Sequence, residues 1–354
     1  MSLSMVAMSG GVDSSVAAAL TASARGADSC IGVAMRLYSV GDDEMRTGRT
    51  CCAPDDLYDA RRAAAVLGIR FYVYDAQERF REQVIEPFVR AYAEGETPNP
   101  CVRCNDHVKF DWLLDRARKL GADELITGHY ARVAFADGSY KLLRARDPAK
   151  DQSYFLHGLS QEELSMVRFP LGGLTKVEVR ALARERSLPN ADKAESMEVC
   201  FVGDTPLAAF LESHGVAAAR GEIVDVEGRV LGEHRGVHRF TVGQRKGFGQ
   251  GFKLPMYVAA LDAEKQRVTV GTREEARRGV FSALEASWVS EPPRPGSQCE
   301  VQVRHRGKPL PARVEADGDR VQVTLLEPAV GVAPGQSAVF YRGDEVLGGG
   351  RISV

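Results

Sequence analysis

Met8-Ser9-Gly10-Gly11-Val12-Asp13-Ser14-Ser15 decides how this chain is read. An apolar run, Met5-Val6-Ala7-Met8, leads into it, and the helix formers Val16-Ala17-Ala18-Ala19-Leu20 follow it. The string therefore occupies the turn between a buried strand and a helix. Two adjacent glycines let backbone amides close on an anion, and amides at a helix start point towards it. Ser9, Ser14 and Ser15 add hydroxyls, and Asp13 is the carboxylate expected to hold a Mg²⁺ ion beside phosphate. A lone Gly-Gly is more often a capped turn, but the full string after a first strand favours a phosphate site. No G-x-x-x-x-G-K-[ST] string occurs, so the chain does not read as an ordinary P-loop NTPase.

Outward from this loop, strand-like and helix-like segments alternate. Ile31–Met35, Phe71–Tyr74 and Glu124–Thr127 read as strands; Leu57–Leu67, residues 79–93 and residues 106–120 read as helices. This order predicts an α/β fold with a parallel sheet and helices on both faces. Asp137-Gly138 predicts a hairpin, and Thr175 with Glu178 predicts a capping box before Val179–Arg186. After about Gly203 the helical character fades into a small mixed α/β region. From about Gly279 only short alternating strands remain, with Pro292, Pro293 and Pro295 before them, which suggests a C-terminal β-barrel. The expected domains are a catalytic one over 1–203, a central one over 204–278 and the barrel over 279–354.

The chain has 354 residues, 46 Lys plus Arg against 48 Asp plus Glu, and a net charge of −2. That balance excludes a uniformly basic nucleic-acid binder but allows a local basic face. No apolar run of about 18 residues is present, so no membrane span is expected. The N-terminus has no signal-peptide pattern, so a cytoplasmic location is expected. Seven cysteines without a secretion signal suit a reducing compartment.

Cys101-Val102-Arg103-Cys104 follows Thr97-Pro98-Asn99-Pro100 and precedes the helix expected from Asn105, so Cys104 is expected near a helix N-terminus, a position that favours thiolate. Cys200 precedes Phe201 at a segment end. Cys51-Cys52 is a vicinal pair, and Cys30 and Cys299 read as core residues. A zinc half-site at Cys101 and Cys104 is the competing reading, and it needs two further ligands.

The glycine-serine string resembles the PP-loop of the N-type ATP pyrophosphatases, which cleave ATP between its α and β phosphates to adenylate a carbonyl oxygen. The chain as a whole resembles the tRNA-specific 2-thiouridylase family. The matching strings are Met8–Ser15, Thr97–Pro100 with Cys104-Asn105, Gly128-His-Tyr-Ala-Arg132, Lys150-Asp-Gln-Ser-Tyr-Phe-Leu156, Ser196–Phe201, Gly243-Gln-Arg-Lys-Gly247 and Pro334-Gly-Gln336. They run in the family's order from residue 8 to residue 336.

The resemblance implies a sulfur-group transferase, a tRNA-uridine 2-sulfurtransferase acting on the wobble uridine, position 34. AMP attached to O2 makes that oxygen a leaving group, and a cysteine persulfide supplies sulfur. Cys200 matches the persulfide carrier and Cys104 the partner nucleophile, so a Cys104–Cys200 disulfide would follow each turnover. By the same carry-over, Ala7, Met8, Ser9, Gly10, Gly11, Val12, Asp13, Ser14, Met35 and Gly128 contact ATP. Asn99, Pro100 and Cys101 line the target-base pocket. His129, Lys150, Asp151, Gln152, Arg304, His305 and Gln336 match positions at the tRNA surface. As residues alone, His129 equally reads as a core histidine, Gln152 as a turn cap, and Arg304 and His305 as a solvated strand face.

Implied partners are tRNAs for Lys, Glu and Gln, a cysteine desulfurase or sulfur-relay protein, and a cellular reductant. Many family members carry Asp where this chain has Cys101. Cys101, Cys104 and Cys200 could instead supply three thiolates to an Fe–S cluster, the second reading of the sulfur step.

Between Arg229 and Lys253 six basic residues face one acid, Glu233, with His234 and His238 as further donors, which suits an RNA backbone. Two other classes compete: an amide-forming PP-loop synthetase, for which no glutaminase-like region is visible, and a non-enzymatic ATP-gated RNA-binding module.

Overall fold

A computed structural model describes residues 2–38, 54–194, 199–248, 251 and 254–354. Cys51, Cys52, Ser196 to Glu198 and Lys253 lie outside the described residues. The chain divides into two compact units. The first comprises Met1–Val84, Cys101–Asp204 and Asp344–Val346, and the second Ile85–Pro100, Thr205–Gly343 and Leu347–Val354.

The first unit holds the expected parallel sheet. Its strand order is Arg70–Asp75, Cys30–Arg36, Ser4–Ala7, Glu124–Ile126, Val167–Arg168, and every neighbouring pair is parallel. The chain builds outward from Ser4–Ala7 on one side and then crosses to the other. The carboxyl ends of Ser4–Ala7 and Glu124–Ile126 therefore flank a topological switch point, where open α/β sheets bind ligands. Helix Val12–Arg25 packs through Val16, Ala17, Ala18 and Ala19 against Ala60, Ala63 and Ala64 of helix Pro54–Val66 and Val179 and Ala183 of helix Lys176–Glu185. Alanine faces let these backbones approach closely and cost little side-chain entropy.

Local signals read from the sequence reappear. Arg132–Ala136 and Ser139–Leu143 form a hairpin whose turn residues Asp137 (φ 52°) and Gly138 (φ 76°) both have positive φ, as a type I′ turn requires. Thr175 and Glu178 form a reciprocal capping box on helix Lys176–Glu185, and Ser160 and Glu163 form another.

Both long helices are more broken than expected. The first runs as Gln77–Phe80, a π-helical turn Arg81–Ile85, and Glu86–Ala93. Pro87 has no N–H for the carbonyl of Gln83, four residues earlier, and that carbonyl accepts Arg103 Nε at 2.8 Å instead. The second starts earlier than expected, as Pro100–Cys104, and passes through the π-helical Asn105–Phe110 into Trp112–Lys119.

In the second unit a four-stranded sheet has the order Tyr257–Asp262, Arg267–Gly271, Gly221–Val224, Val230–His234. A six-stranded barrel follows, in the order Arg277–Trp288, Arg320–Val330, Leu310–Asp317, Ser297–Gln302, Ser337–Arg342, Glu345–Ser353. It is closed by pairing of the first and last of these strands, Ser282 opposite Ser353 and Ala283 opposite Ile352. Its interior is the alternating valines expected of such strands, with Phe281 and Phe340. Arg304 and His305 correct the sequence reading: the strand ends at Gln302, and both residues lie in the turn that follows. There Gly307 N–H closes on Arg304 C=O at 2.9 Å and Arg306 takes φ 58°. Arg306-Gly307-Lys308-Pro309 is turn chemistry that the Val-x-Val alternation before it masks. Among the described residues, no helix is long and apolar enough to cross a membrane.

Candidate nucleotide and thiol site

The phosphate loop leaves strand Ser4–Ala7 and becomes the N-terminus of helix Val12–Arg25, with extended Gly11 at the cap position. Met8 N–H still bonds Val33 C=O at 2.8 Å, so the loop turns only after Met8. Gly10 has φ 77°, and a Cβ there would lie 2.1 Å from the backbone oxygen of Asp56, so only glycine fits. Ser14 Oγ accepts Ser9 N–H at 3.1 Å and donates to Gly11 C=O at 3.1 Å; Ser15 Oγ also donates to Gly11 C=O at 3.1 Å. Asn190 Nδ2 reaches the loop from outside, donating to Gly10 C=O at 2.8 Å and Ser15 Oγ at 2.9 Å. Gly128, at the end of strand Glu124–Ile126, packs so closely that a Cβ would stand 2.7 Å from Ser14 N. The two strand ends of the switch point thus meet at the loop. Met35 is half-buried near the end of the neighbouring strand.

Asp13, expected to hold Mg²⁺, is engaged inside the protein. Lys176 Nζ donates to Oδ1 at 2.7 Å and Oδ2 at 2.9 Å, and Tyr130 Oη donates to Oδ1 at 2.8 Å. These three hydrogen bonds from two donor groups leave one lone pair, on Oδ2. Lys193 makes a parallel bridge nearby, to Asp56 at 2.5 Å and Asp59 at 2.6 Å. No local signal marks Lys176, Lys193 or Asn190 in the sequence, since each acts on residues more than a hundred positions away.

Cys104 is buried, Cys101 exposed and Cys200 half-buried, and all three belong to the first unit and carry thiols. The helical segment around Phe80 serves both cysteine segments. Phe80 packs edge-on against Phe201 with ring centroids 5.6 Å apart, and Tyr38, 6.2 Å from Phe80, donates its hydroxyl to Cys200 C=O at 2.7 Å. Three residues on, Gln83 holds Arg103, the neighbour of Cys104. Cys30 and Cys299 behave as core residues: burial pushes the Cys30 thiol up and that of Cys299 to about 11, away from reactive thiolate. Among the described residues, no three His, Cys, Asp or Glu side chains are arranged to hold a metal ion.

Comparison with known proteins matches this architecture. A family model described as the tRNA methyl transferase HUP domain matches residues 3–204, the tRNA methyl transferase PRC-barrel domain residues 208–272, and the aminomethyltransferase beta-barrel domain residues 278–352. The tRNA-specific 2-thiouridylase MnmA of Geobacter metallireducens is 49% identical over 354 residues, covering 98% of this chain and 96% of its own. That of Chloroflexus aurantiacus (strain J-10-fl) is 49% identical over 353 residues, covering 99% and 98%. This chain belongs to the MnmA family.

The other positions implied by MnmA likeness are spread over both units. In the second, Asn99 ends a loop and Pro100 begins the helix after it, and Gln336 pins that loop, its Nε2 donating to Thr97 C=O at 2.8 Å, while Thr97 N–H bonds Pro334 C=O at 2.8 Å. In the first, His129 Nδ1 lies 2.7 Å from Thr127 Oγ1, and the ring packs between Phe110 and Phe169. Burial pushes its pKa well below 6.5, so it is neutral. Gln152 Oε1 accepts Tyr130 N–H at 2.9 Å, and Asp151 holds Arg144 at 3.1 Å and Ala145 N–H at 2.9 Å. Lys150 N–H closes a turn on Asp147.

The basic stretch of the second unit is less free than its sequence suggests. Arg229 is paired with Asp225 and Glu227, and Arg239 with Glu212, acids that lie outside the Arg229–Lys253 window. His234 and His238 are buried and bonded to Gln266 C=O and Glu212, so neither is a donor to solvent. Arg245 and Lys246 are exposed and form no ion pair with the described residues.

Proposed function

We propose that this MnmA-family chain replaces O2 of the wobble uridine, position 34, with sulfur at the expense of ATP. The observation that carries the reading is the amide-lined loop at the sheet's switch point, in the same unit as two thiols held on one helical segment. In this reading ATP lies with its β and γ phosphates on the Ser9–Ser14 loop, against Gly128 and Met35. Uridine O2 attacks the α phosphorus, the bond to pyrophosphate breaks, and O2 carries AMP. The terminal sulfur of a Cys200 persulfide attacks C2, and AMP departs with the former O2. Cys104 thiolate then attacks the Cys200 sulfur, releasing 2-thiouridine and leaving a Cys104–Cys200 disulfide that a dithiol reductant resets. Mg²⁺ enters with the nucleotide, and the open Oδ2 lone pair of Asp13 is the ligand assigned to it.

Asn99, Pro100 and Cys101 receive the flipped base; unstacking exposes O2 to adenylation. His129, Lys150, Asp151, Gln152, Arg304, His305 and Gln336 face tRNA, either directly or by shaping the loops that do. The tRNAs are those for Lys, Glu and Gln, sulfur comes from a cysteine desulfurase or relay protein, and the reaction is cytoplasmic. Residues 1–203 are the catalytic domain, 204–278 the central tRNA-binding domain and 279–354 the barrel.

Incubation with ATP, Mg²⁺, a persulfide donor and these tRNAs, followed by nucleoside mass spectrometry, tests the reading. It expects one oxygen exchanged for one sulfur at position 34, with pyrophosphate released. C104S and C200S should lose thiolation and keep tRNA-dependent pyrophosphate release. Full thiolation by both variants would overturn it.

A further inference from the structure

Asn190 is 3% exposed and its Nδ2 donates to both Gly10 C=O and Ser15 Oγ, whereas its Oδ1 is buried with no partner among the described residues. An orphaned buried acceptor is unfavourable, so the amide is held for its donor end. The orientation cannot be reversed. Gly10 C=O is an acceptor, and Ser15 Oγ has already given its proton to Gly11 C=O, so towards Asn190 it can only accept. A flipped amide would set Oδ1 against two oxygens.

The consequence lies in the peptide between Gly10 and Gly11. A trans peptide points its N–H opposite to its C=O. With the Gly10 carbonyl drawn to Asn190, Gly11 N–H is turned to the other side of the loop. Gly10 sits at φ 77°, where glycine moves between backbone wells at little cost, so the plane needs an external hold. A flip would place a carbonyl oxygen where an anion needs a donor.

From this geometry we infer that Asn190 is a positioning residue of the nucleotide site: it locks the Gly10–Gly11 peptide with its N–H towards the phosphates and keeps the Ser15 hydroxyl out of the ligand set. The inference rests on the reading that the loop binds the phosphates of ATP.

The test uses the full-length chain with tRNA and compares wild type with N190L and N190D. Leu approximates the size of Asn without its donor, and Asp matches its shape. KM for ATP and kcat come from tRNA-dependent pyrophosphate release, and Cys200 persulfide loading is read by intact mass after treatment with a cysteine desulfurase and cysteine. Both variants should raise KM for ATP about tenfold or more, shift kcat by less than about threefold, and load Cys200 as wild type does. N190L with wild-type KM would overturn the inference, because packing alone, or charge alone acting in N190D, would then suffice. Parallel loss of KM, kcat and persulfide loading would also overturn it, as a general structural defect. If neither variant folds, N190A decides, and an unchanged KM rejects the role. Wild type that releases no pyrophosphate sinks the functional reading instead.

Discussion

Lys176 Nζ stands 2.7 Å from Oδ1 and 2.9 Å from Oδ2 of Asp13, 163 residues away in the chain, and the lysine side chain is only 12% exposed. This bridge neutralises a carboxylate in the first turn of the helix that opens at the phosphate loop. Without it, Asp13 would face an incoming polyanion uncompensated.

K176M is therefore expected to weaken ATP binding about tenfold, or about 1.4 kcal/mol. Measured without Mg²⁺, where Asp13 acts only as a negative charge, D13N should recover part of that loss in the double variant, since the two residues share one interaction. Titration calorimetry with ATP checks both, and wild-type affinity in K176M would refute the electrostatic account.

Gly128 is expected to tolerate no side chain. A Cβ would meet Ser14 N at 2.7 Å, Asp13 C at 2.9 Å and Ser14 Cα at 3.0 Å, all backbone atoms that cannot swing aside. G128A should cost about 1–3 kcal/mol and reduce ATP affinity, because strand end and loop must separate. Gly173, with nothing within 4 Å of its Cβ position, supplies the control: G173A should melt and bind ATP as wild type does.

Charge reversal at Arg245 and Lys246 is expected to weaken tRNA binding and flatten its salt dependence, the slope falling by about one for each phosphate that is no longer neutralised. ATP binding should not change. R239E should weaken tRNA binding less, because Glu212 already takes that guanidinium. Filter binding across a salt series checks this, and an unchanged slope in R245E/K246E would remove the patch from the tRNA path.

Two buried groups pull stability in opposite directions with pH. Burial, with Glu163 adding to it against Arg103, raises the Asp106 carboxyl to about 7, and its Oδ1 has no partner among the described residues. Its folded pKa lies above the unfolded value, so its contribution is intact below pH 3.8 and is lost as pH rises towards 7. D106N should thus stabilise the protein at pH 8, by about 4 kcal/mol at most, and less at pH 5.

His157 is 5% exposed, neither ring nitrogen has a partner among the described residues, and burial lowers its pKa to about 4. Its contribution is present above pH 6.5 and lost as pH falls towards 4, by about 3 kcal/mol at most. Urea unfolding of wild type, D106N and H157L at pH 5 and pH 8 separates the two. A D106N gain that is equal at both pH values would contradict the assignment.

Local chemistry in the sequence was enough for the parallel sheet, the Asp137-Gly138 hairpin, the Thr175–Glu178 capping box and the barrel strands. Each depends on neighbours within a few residues, where periodicity, turn glycines and capping side chains act directly. The same logic failed at Arg304 and His305, where alternation before the turn hid the turn, and at the helices around Arg81 and Asn105. It also failed over the basic stretch: a count along the chain met one acid, while the acids that neutralise Arg229 and Arg239 come from outside the window.

The sequence by itself determined that a glycine-serine loop joins the first strand to the first helix and that Cys104 follows a proline-stiffened approach. Only the tertiary structure decided which charges and donors complete that loop. Lys176 and Asn190 carry no motif, and the string that holds Tyr130 does not say that its hydroxyl bonds Asp13, because a hydrogen bond is selected by proximity in space and leaves no periodic trace along the chain. Sheet topology brings them to one strand end, and burial there makes each partner's absence costly.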